Sequence, residues 1–221
     1  MLLRQVNGDG YPDILAGNWG HNSKLWAGKN GPLKLYVKDF DMNGNIDQLL
    51  CYTIDGQEYT FLAKDELEKV MPVLRKYYLT YSEVAGKTVQ YMFYDLFKDY
   101  TELKAETLSS ACFINDGKGN FTKKDLDDDL QQAPVFAFAP LTNNKYIAGG
   151  NFYGTIPYEG KYDALYPTIF SYNNNQFLTS SSLPDVNGEV RDMKWLNTIN
   201  HEKLLVIARN NDSLLFYKPV P

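Results

Sequence analysis

Asp39, Asp41, Asn43 and Asp47, in the stretch DFDMNGNID, set oxygen-bearing side chains at positions 1, 3, 5 and 9 of one short run, with Gly44 at position 6. A loop that wraps a hard cation needs this arrangement: oxygens on alternate residues, a glycine to turn the chain, and a backbone carbonyl, here that of Asn45, at position 7. With three carboxylates and no nitrogen or sulfur donor, the expected occupant is Ca²⁺. The downstream residues exclude an EF-hand. Position 12 is Leu50 where that motif needs a bidentate glutamate, and the flanks LKLYV and QLLCY read as strands rather than helices. The alternative is an Asx-rich turn without a metal. An earlier run, QVNGDGYPD, carries the same skeleton through the side chains of Gln5, Asn7, Asp9 and Asp13 and the carbonyl of Tyr11. Neutral amides replace two carboxylates there, so the expected site is weaker.

Both runs lead into an apolar segment, ILAG after the first and LLCY after the second, and sliding residue 5 onto residue 39 aligns them position for position. Such self-similarity decides architecture before any local assignment. Two fainter echoes occur further along the chain. KYIAGGNFYG (145–154) matches DILAGNWG (13–20), and KLLVIARNND (203–212) repeats a short apolar strand running into asparagine. Each is succeeded by another strand-like segment: SKLWAG (23–28), SACFIND (110–116), TIFSYN (168–173) or SLLFYK (213–218). NDGKGNFTKK (115–124) and NNNQFLTS (173–180) have the Asn, Asp and Gly that a tight hairpin needs for positive φ. The expected fold is therefore all-β and mainly antiparallel, a β-propeller or related repeat sheet spanning residues 1–221 as one domain.

Residues 63–106 depart from this pattern and read as a helical insertion. Asp65 and Glu68 have the form of a capping box, Leu67, Val70, Met71 and Leu74 share a helical face, and Pro72 is expected to break the helix and start another. The insertion is expected between the second and third strands of the repeat that opens with LKLYVKDFD. Its Leu67, Met71, Leu74, Tyr78, Phe93 and Phe97 are expected to face the sheets or each other.

Composition limits the functions. The chain has 221 residues, 44% of them hydrophobic, with a net charge of −5. Its basic residues are scattered, which argues against nucleic acid as a partner. No apolar run is long enough for a membrane span. Cys51 and Cys112 read as buried free thiols, and His21 and His201 lack the partners a zinc site needs. No G-x-S-x-G, H-E-x-x-H or phosphate-cradling motif appears, and no catalytic residue is assigned. Asp127, Asp128 and Asp129 read as a solvated loop. The long loop NFYGTIPYEGKYDALYP (151–167) is rich in aromatics, of which Tyr153, Tyr158 and Tyr162 are candidates for stacking on a sugar or anchoring a protein, against the alternative of internal packing.

DFDMNGNID preceded by LKLYV, together with NGDGYPDILAGNWG and FINDGKGNFTKK, resembles the FG-GAP/VCBS repeats of integrin-type β-propellers, in which a D-x-D-x-[DN]-G-x-x-D calcium loop joins the first two strands of a blade. The wider chain is similar to the C-terminal part of ASPIC-related VCBS-repeat proteins exported by Bacteroidetes. The resemblance implies an extracellular, cell-surface or periplasmic location, with the export signal upstream of this chain. It also implies a non-catalytic calcium-binding module that binds or scaffolds a protein or polysaccharide. The alternative is a part of a carbohydrate-active enzyme whose catalytic residues lie elsewhere. LTNNKYIAGG and LNTINHEKLLVIA keep the strands and lose the acidic ligands, so calcium is expected to be absent there. A ring that fails to close exposes sheet edges, and self-association is then expected.

Overall fold

In the computed structural model the chain, described over residues 1–25, 31–141 and 144–218, is mainly antiparallel β, with four small sheets and a few short helices. No helix among the described residues is long and apolar enough to cross a membrane. The chain divides into two compact units, one of residues 1–22 and 109–221, the other of residues 23–108.

The first unit contains three sheets. Strands β1 (Leu2–Arg4), β2 (Asp13–Ala16), β7 (Ala111–Asn115) and β8 (Phe121–Asp125) form one meander, which the second unit interrupts in sequence between β2 and β7. β9 (Val135–Pro140), β10 (Lys145–Gly150), β11 (Thr168–Asn173) and β12 (Gln176–Ser182) form the next, and β13 (Val190–Asn197), β14 (Lys203–Arg209) and β15 (Leu215–Tyr217) the third. The two-residue alternation of a strand explains how they stack. Phe138, Tyr146, Ala148 and Phe170 point from the β9–β12 sheet into a core shared with Leu15 and Cys112. Their neighbours Ala137, Ala139 and Ile147 point the opposite way, into a core shared with Val190, Met193, Leu205 and Ile207. The middle sheet is thus covered on both faces, and the three sheets lie face to face in chain order.

Glycine makes that stacking close. A Cβ at Gly17, just after β2, would lie 2.1 Å from the carbonyl oxygen of Val135, and one at Gly150, its counterpart at the end of β10, 1.7 Å from that of Pro134. Next to each glycine an asparagine ties the backbone. Val135 N–H donates to Asn18 O, and Asn151 N–H to Pro134 O, both at 2.9 Å. The Asn151 bond recurs in the third sheet, where Asn210 N–H donates to Glu189 O. The strand-into-asparagine echo in the sequence therefore marks one bonding position in the second and third sheets, whereas Asn18 N–H donates to Ser110 Oγ and its carbonyl reaches the next sheet.

The second unit holds the fourth sheet, in the order β5 (Gln57–Thr60), β4 (Asp47–Ile54), β3 (Leu33–Lys38), β6 (Thr101–Ala105). Helices α1 (Lys64–Val70), α2 (Tyr81–Val84) and α3 (Val89–Phe93) cover it, and 3-10 turns at Pro72–Lys76 and Tyr94–Leu96 accompany them. Leu67, Met71, Leu74 and Phe93 are buried with Tyr36, Phe40, Leu49 and Cys51, and Tyr78 and Phe97 pack against them, in agreement with the helical pattern of the sequence. The break at Pro72 is also present.

Five local expectations need correction. Helix α1 begins at Lys64 with Ala63 at its N-cap, so Asp65 lies in the first turn, and Glu68 is buried in ion pairs with Lys64 and Arg75 instead of closing a capping box. Val70 is 51% exposed, because the helix ends there before a second apolar turn can enclose it. The helices come after the third strand of their repeat rather than the second: Asp55 and Gly56, both with positive φ, turn a hairpin that adds β5. Residues 101–105, inside the span read as helical, form β6 and pair with β3. The third strand of the first repeat is β7; of SKLWAG, Ser23–Leu25 is not strand and residues 26–28 lie outside the described residues.

Candidate metal centre

The two Asx-rich runs occupy the same place in their sheets. Residues 5–12 connect β1 to β2, and residues 39–46 connect β3 to β4. Both loops have positive φ at the fourth and sixth positions, Gly8 and Gly10 in the first, Met42 and Gly44 in the second. In both the final aspartate is buried and turned back to hold the backbone at position 2: Asp13 Oδ2 accepts from Val6 N–H at 2.7 Å, and Asp47 Oδ2 from Phe40 N–H at 3.0 Å. Shared backbone conformation and shared bonding make the alignment a structural repeat.

They differ in what their oxygens do. In the first loop Asp13 Oδ1 also accepts Asn115 N–H at 2.9 Å. Asn7 Oδ1 accepts Asp9 N–H, Asp9 Oδ1 accepts Tyr11 N–H, and Asp9 Oδ2 accepts the Asn7 amide. Rotating the Gln5 amide lets its oxygen accept from Asp9 and Gly10 N–H as well. The Tyr11 ring lies directly against Gly117. The loop closes on its own hydrogen bonds, with two carboxylates.

In the second loop Asp39 accepts Asn43 N–H at 3.0 Å and Gly44 N–H at 2.8 Å, and Asn43 Oδ1 accepts Asn45 N–H at 2.8 Å. These bonds curl the chain so that one oxygen each of Asp39, Asp41 and Asp47 lie within 4.8 Å of one another. It is the one such cluster of three potential metal-binding groups among the described residues. Burial, then the charges of Asp41 and Asp39, push the Asp47 carboxyl above the usual carboxylate range. Asp41 Oδ1 is shielded from solvent and has no hydrogen-bond partner. A buried, unpartnered carboxylate oxygen beside two further carboxylates is unfavourable for a bare loop and favourable for a cation. Three hard oxygens fit calcium or magnesium and lack the nitrogen and sulfur donors of a zinc site.

The equivalent first-to-second-strand connections of the other two sheets, residues 141–144 and 198–202, carry no acidic cluster among the described residues; residues 142 and 143 lie outside them. The aromatic candidates separate. Tyr162 packs edge-on against Trp19 at 5.2 Å and its backbone pairs with Phe152, so it serves internal packing. Tyr153 N–H donates to Glu189 Oε1 at 2.8 Å, and the Lys161 ammonium sits 4.8 Å from its ring. Tyr158 lies in a short 3-10 turn, and its side chain lies outside the described residues. Tyr166, from the same loop, is half-exposed in the wall of a cleft that pattern reading alone did not single out. Cys51 and Cys112 are free and buried; burial pushes both thiols up to about 12, which keeps them protonated at neutral pH.

No family model, no curated protein and no solved structure matches the chain.

Proposed function

We propose that this chain is a calcium-binding module of the β-propeller repeat type, from an exported or cell-surface protein, that binds or scaffolds a protein or polysaccharide without catalysing a reaction on it. The observation that carries the calcium reading is the buried, unpartnered Oδ1 of Asp41 beside Asp39 and Asp47. The side chains of Asp39, Asp41, Asn43 and Asp47 and the carbonyl of Asn45 would hold the ion. Bound there, calcium neutralises the carboxylates and fixes the connection between β3 and β4. The loop of residues 5–13, with its oxygens already hydrogen-bonded, is the weaker of the two.

Support for the propeller reading comes from the first unit. Meandering sheets in chain order, each packed face to face on the next, are what successive blades look like, and glycines at the strand ends allow the close approach. Comparing thermal unfolding in calcium and in chelator tests the reading. Calcium raises the melting temperature of metal-free protein, magnesium raises it less, and Asp41→Ala removes most of the difference. Identical curves in calcium and chelator overturn it.

A further inference from the structure

Two adjoining clefts, each of about 470 Å³, run along β12, the edge strand of the middle sheet in the first unit. One takes residues 176–178 of the strand, the other residues 179–182. Asp127 and Asp129 stand between them: Thr179 Oγ donates to Asp129 Oδ2 at 2.7 Å, and Asp127 Oδ2 accepts Thr179 N–H at 3.4 Å. The second cleft is walled by the half-exposed Tyr166 and by Asp129, Gln132, Thr179, Ser181 and Ser182. Ser181 and Ser182 line it, and neither hydroxyl has a hydrogen-bond partner among the described residues. No lysine or arginine lines it.

We propose that this cleft binds a neutral oligosaccharide, with Tyr166 stacking on a sugar ring and Asp129, Gln132 and the serines hydrogen-bonding its hydroxyls. The inference names the ligand class of the binding module proposed above and rests on that reading, but on none of the calcium loop's residues. Three features select the ligand. One exposed aromatic ring with hydroxyl, amide and carboxylate groups around it suits a polyhydroxylated ring, which has apolar faces and a polar rim. Without a cationic side chain the cleft offers nothing to a phosphate, sulfate or uronate. An extended peptide adding to the sheet edge needs a run of free backbone groups, and here the centre of the edge is interrupted. The Asp127 carboxylate covers Thr179 N–H, and the pairing of β12 with β11 shifts register between Ile169 and Phe170, leaving Ser180 as a bulge.

The test titrates the full chain with gluco-, manno-, xylo- and galacto-oligosaccharides of about six sugars, followed by heteronuclear NMR and calorimetry, with an extended-peptide library alongside. At least one oligosaccharide is expected to bind at millimolar or tighter Kd, shifting resonances of Tyr166 and Ser181. Tyr166→Ala and Asp129→Asn are each expected to weaken it about tenfold or more with the fold intact by circular dichroism. Should Asp129→Asn loosen the edge, Ser182→Ala, which removes a hydroxyl without an internal partner, gives the same reading. No oligosaccharide binding up to about 10 mM overturns the proposal. Binding that survives all three substitutions also overturns it, as does a peptide that binds at Tyr166 where no sugar does. Running the titration on Asp41→Ala separates the two readings: sugar binding is expected to persist when the calcium response is lost.

Discussion

Asp13 and Asp47 occupy equivalent positions, yet replacing each by asparagine should differ in its dependence on calcium: none for Asp13, strong for Asp47. Asp13 is fully buried, and both its oxygens accept backbone N–H groups, from Val6 and from Asn115. Asp13→Asn presents an amide N–H to one of those donors, loses a charge-assisted bond and leaves a buried N–H unpaired, for about 2 to 3 kcal/mol of destabilisation with or without calcium. Asp47 accepts Phe40 N–H at 3.0 Å and faces two carboxylates with ligand oxygens within 4.8 Å. A unit-charge pair at about 4.8 Å repels by roughly 1 kcal/mol in a water-like dielectric and roughly 3 to 4 kcal/mol at an effective dielectric of 20. Asp39 and Asp41 are partly exposed, so the lower figure applies, and Asp47→Asn relieves about 2 kcal/mol of repulsion. That offsets the roughly 1 to 2 kcal/mol lost when the charged acceptor for Phe40 N–H becomes neutral. In chelator Asp47→Asn is therefore expected to be close to neutral. In calcium it loses the linkage stabilisation of the wild type, about 2.7 kcal/mol at a hundredfold excess over Kd. The assay is urea unfolding of both variants in calcium and in chelator. Equal destabilisation by Asp47→Asn in both media would refute this, since its carboxylate would then be a purely structural acceptor like that of Asp13.

Other consequences concern the stacked sheets. Gly150→Ala, whose Cβ would lie 1.7 Å from Pro134 O, forces the backbone apart and should destabilise by about 2 kcal/mol or more in urea unfolding, whereas Gly86→Ala meets no atom within 4 Å and is limited to the smaller strain of its positive φ. Burial opposes ionisation of Glu189, but hydrogen bonds from Asn210 and Tyr153 N–H and the charge of Arg191 hold its carboxyl below the usual value of 4.5. Its stabilisation is therefore present above that pH and lost as pH falls through the lowered value, so the gap in melting temperature between wild type and Glu189→Gln should be full at neutral pH and shrink on acidification. The outer face of the third sheet leaves Leu196 49% and Phe216 56% exposed, so concentration-dependent self-association is expected by light scattering, and Phe216→Lys should reduce it.

Much of this organisation is readable from residue types alone, because it rests on local chemistry. Alternating oxygens with a glycine define a loop whichever sheet carries it, and the Asn174–Asn175 hairpin, both residues at positive φ, is legible in its own sequence. Other signals are equally local but easier to miss. Asp55–Gly56 marks the hairpin that adds β5, and Thr80-x-x-Glu83 marks a real helix start, with Thr80 N–H donating to the Glu83 carboxylate at 2.7 Å. What local pattern cannot supply is pairing at a distance. β2 bonds to β7 across the whole second unit, and β6 returns to β3 past three helices, so spacing along the chain places neither. The cleft along β12 illustrates the same limit, since it joins Asp129, Tyr166 and Ser182, which lie in three separate stretches of sequence.

The most direct test of the calcium reading is calorimetric titration of metal-free protein with calcium, on the wild type and on Asp41→Ala. The expected result is one dominant site per chain, weaker for magnesium, and lost in Asp41→Ala while a change in the other loop, Asp9→Ala, leaves it in place. Absence of calcium binding in the wild type, or a dominant site that survives Asp41→Ala, would contradict the assignment of residues 39–47 as a metal centre.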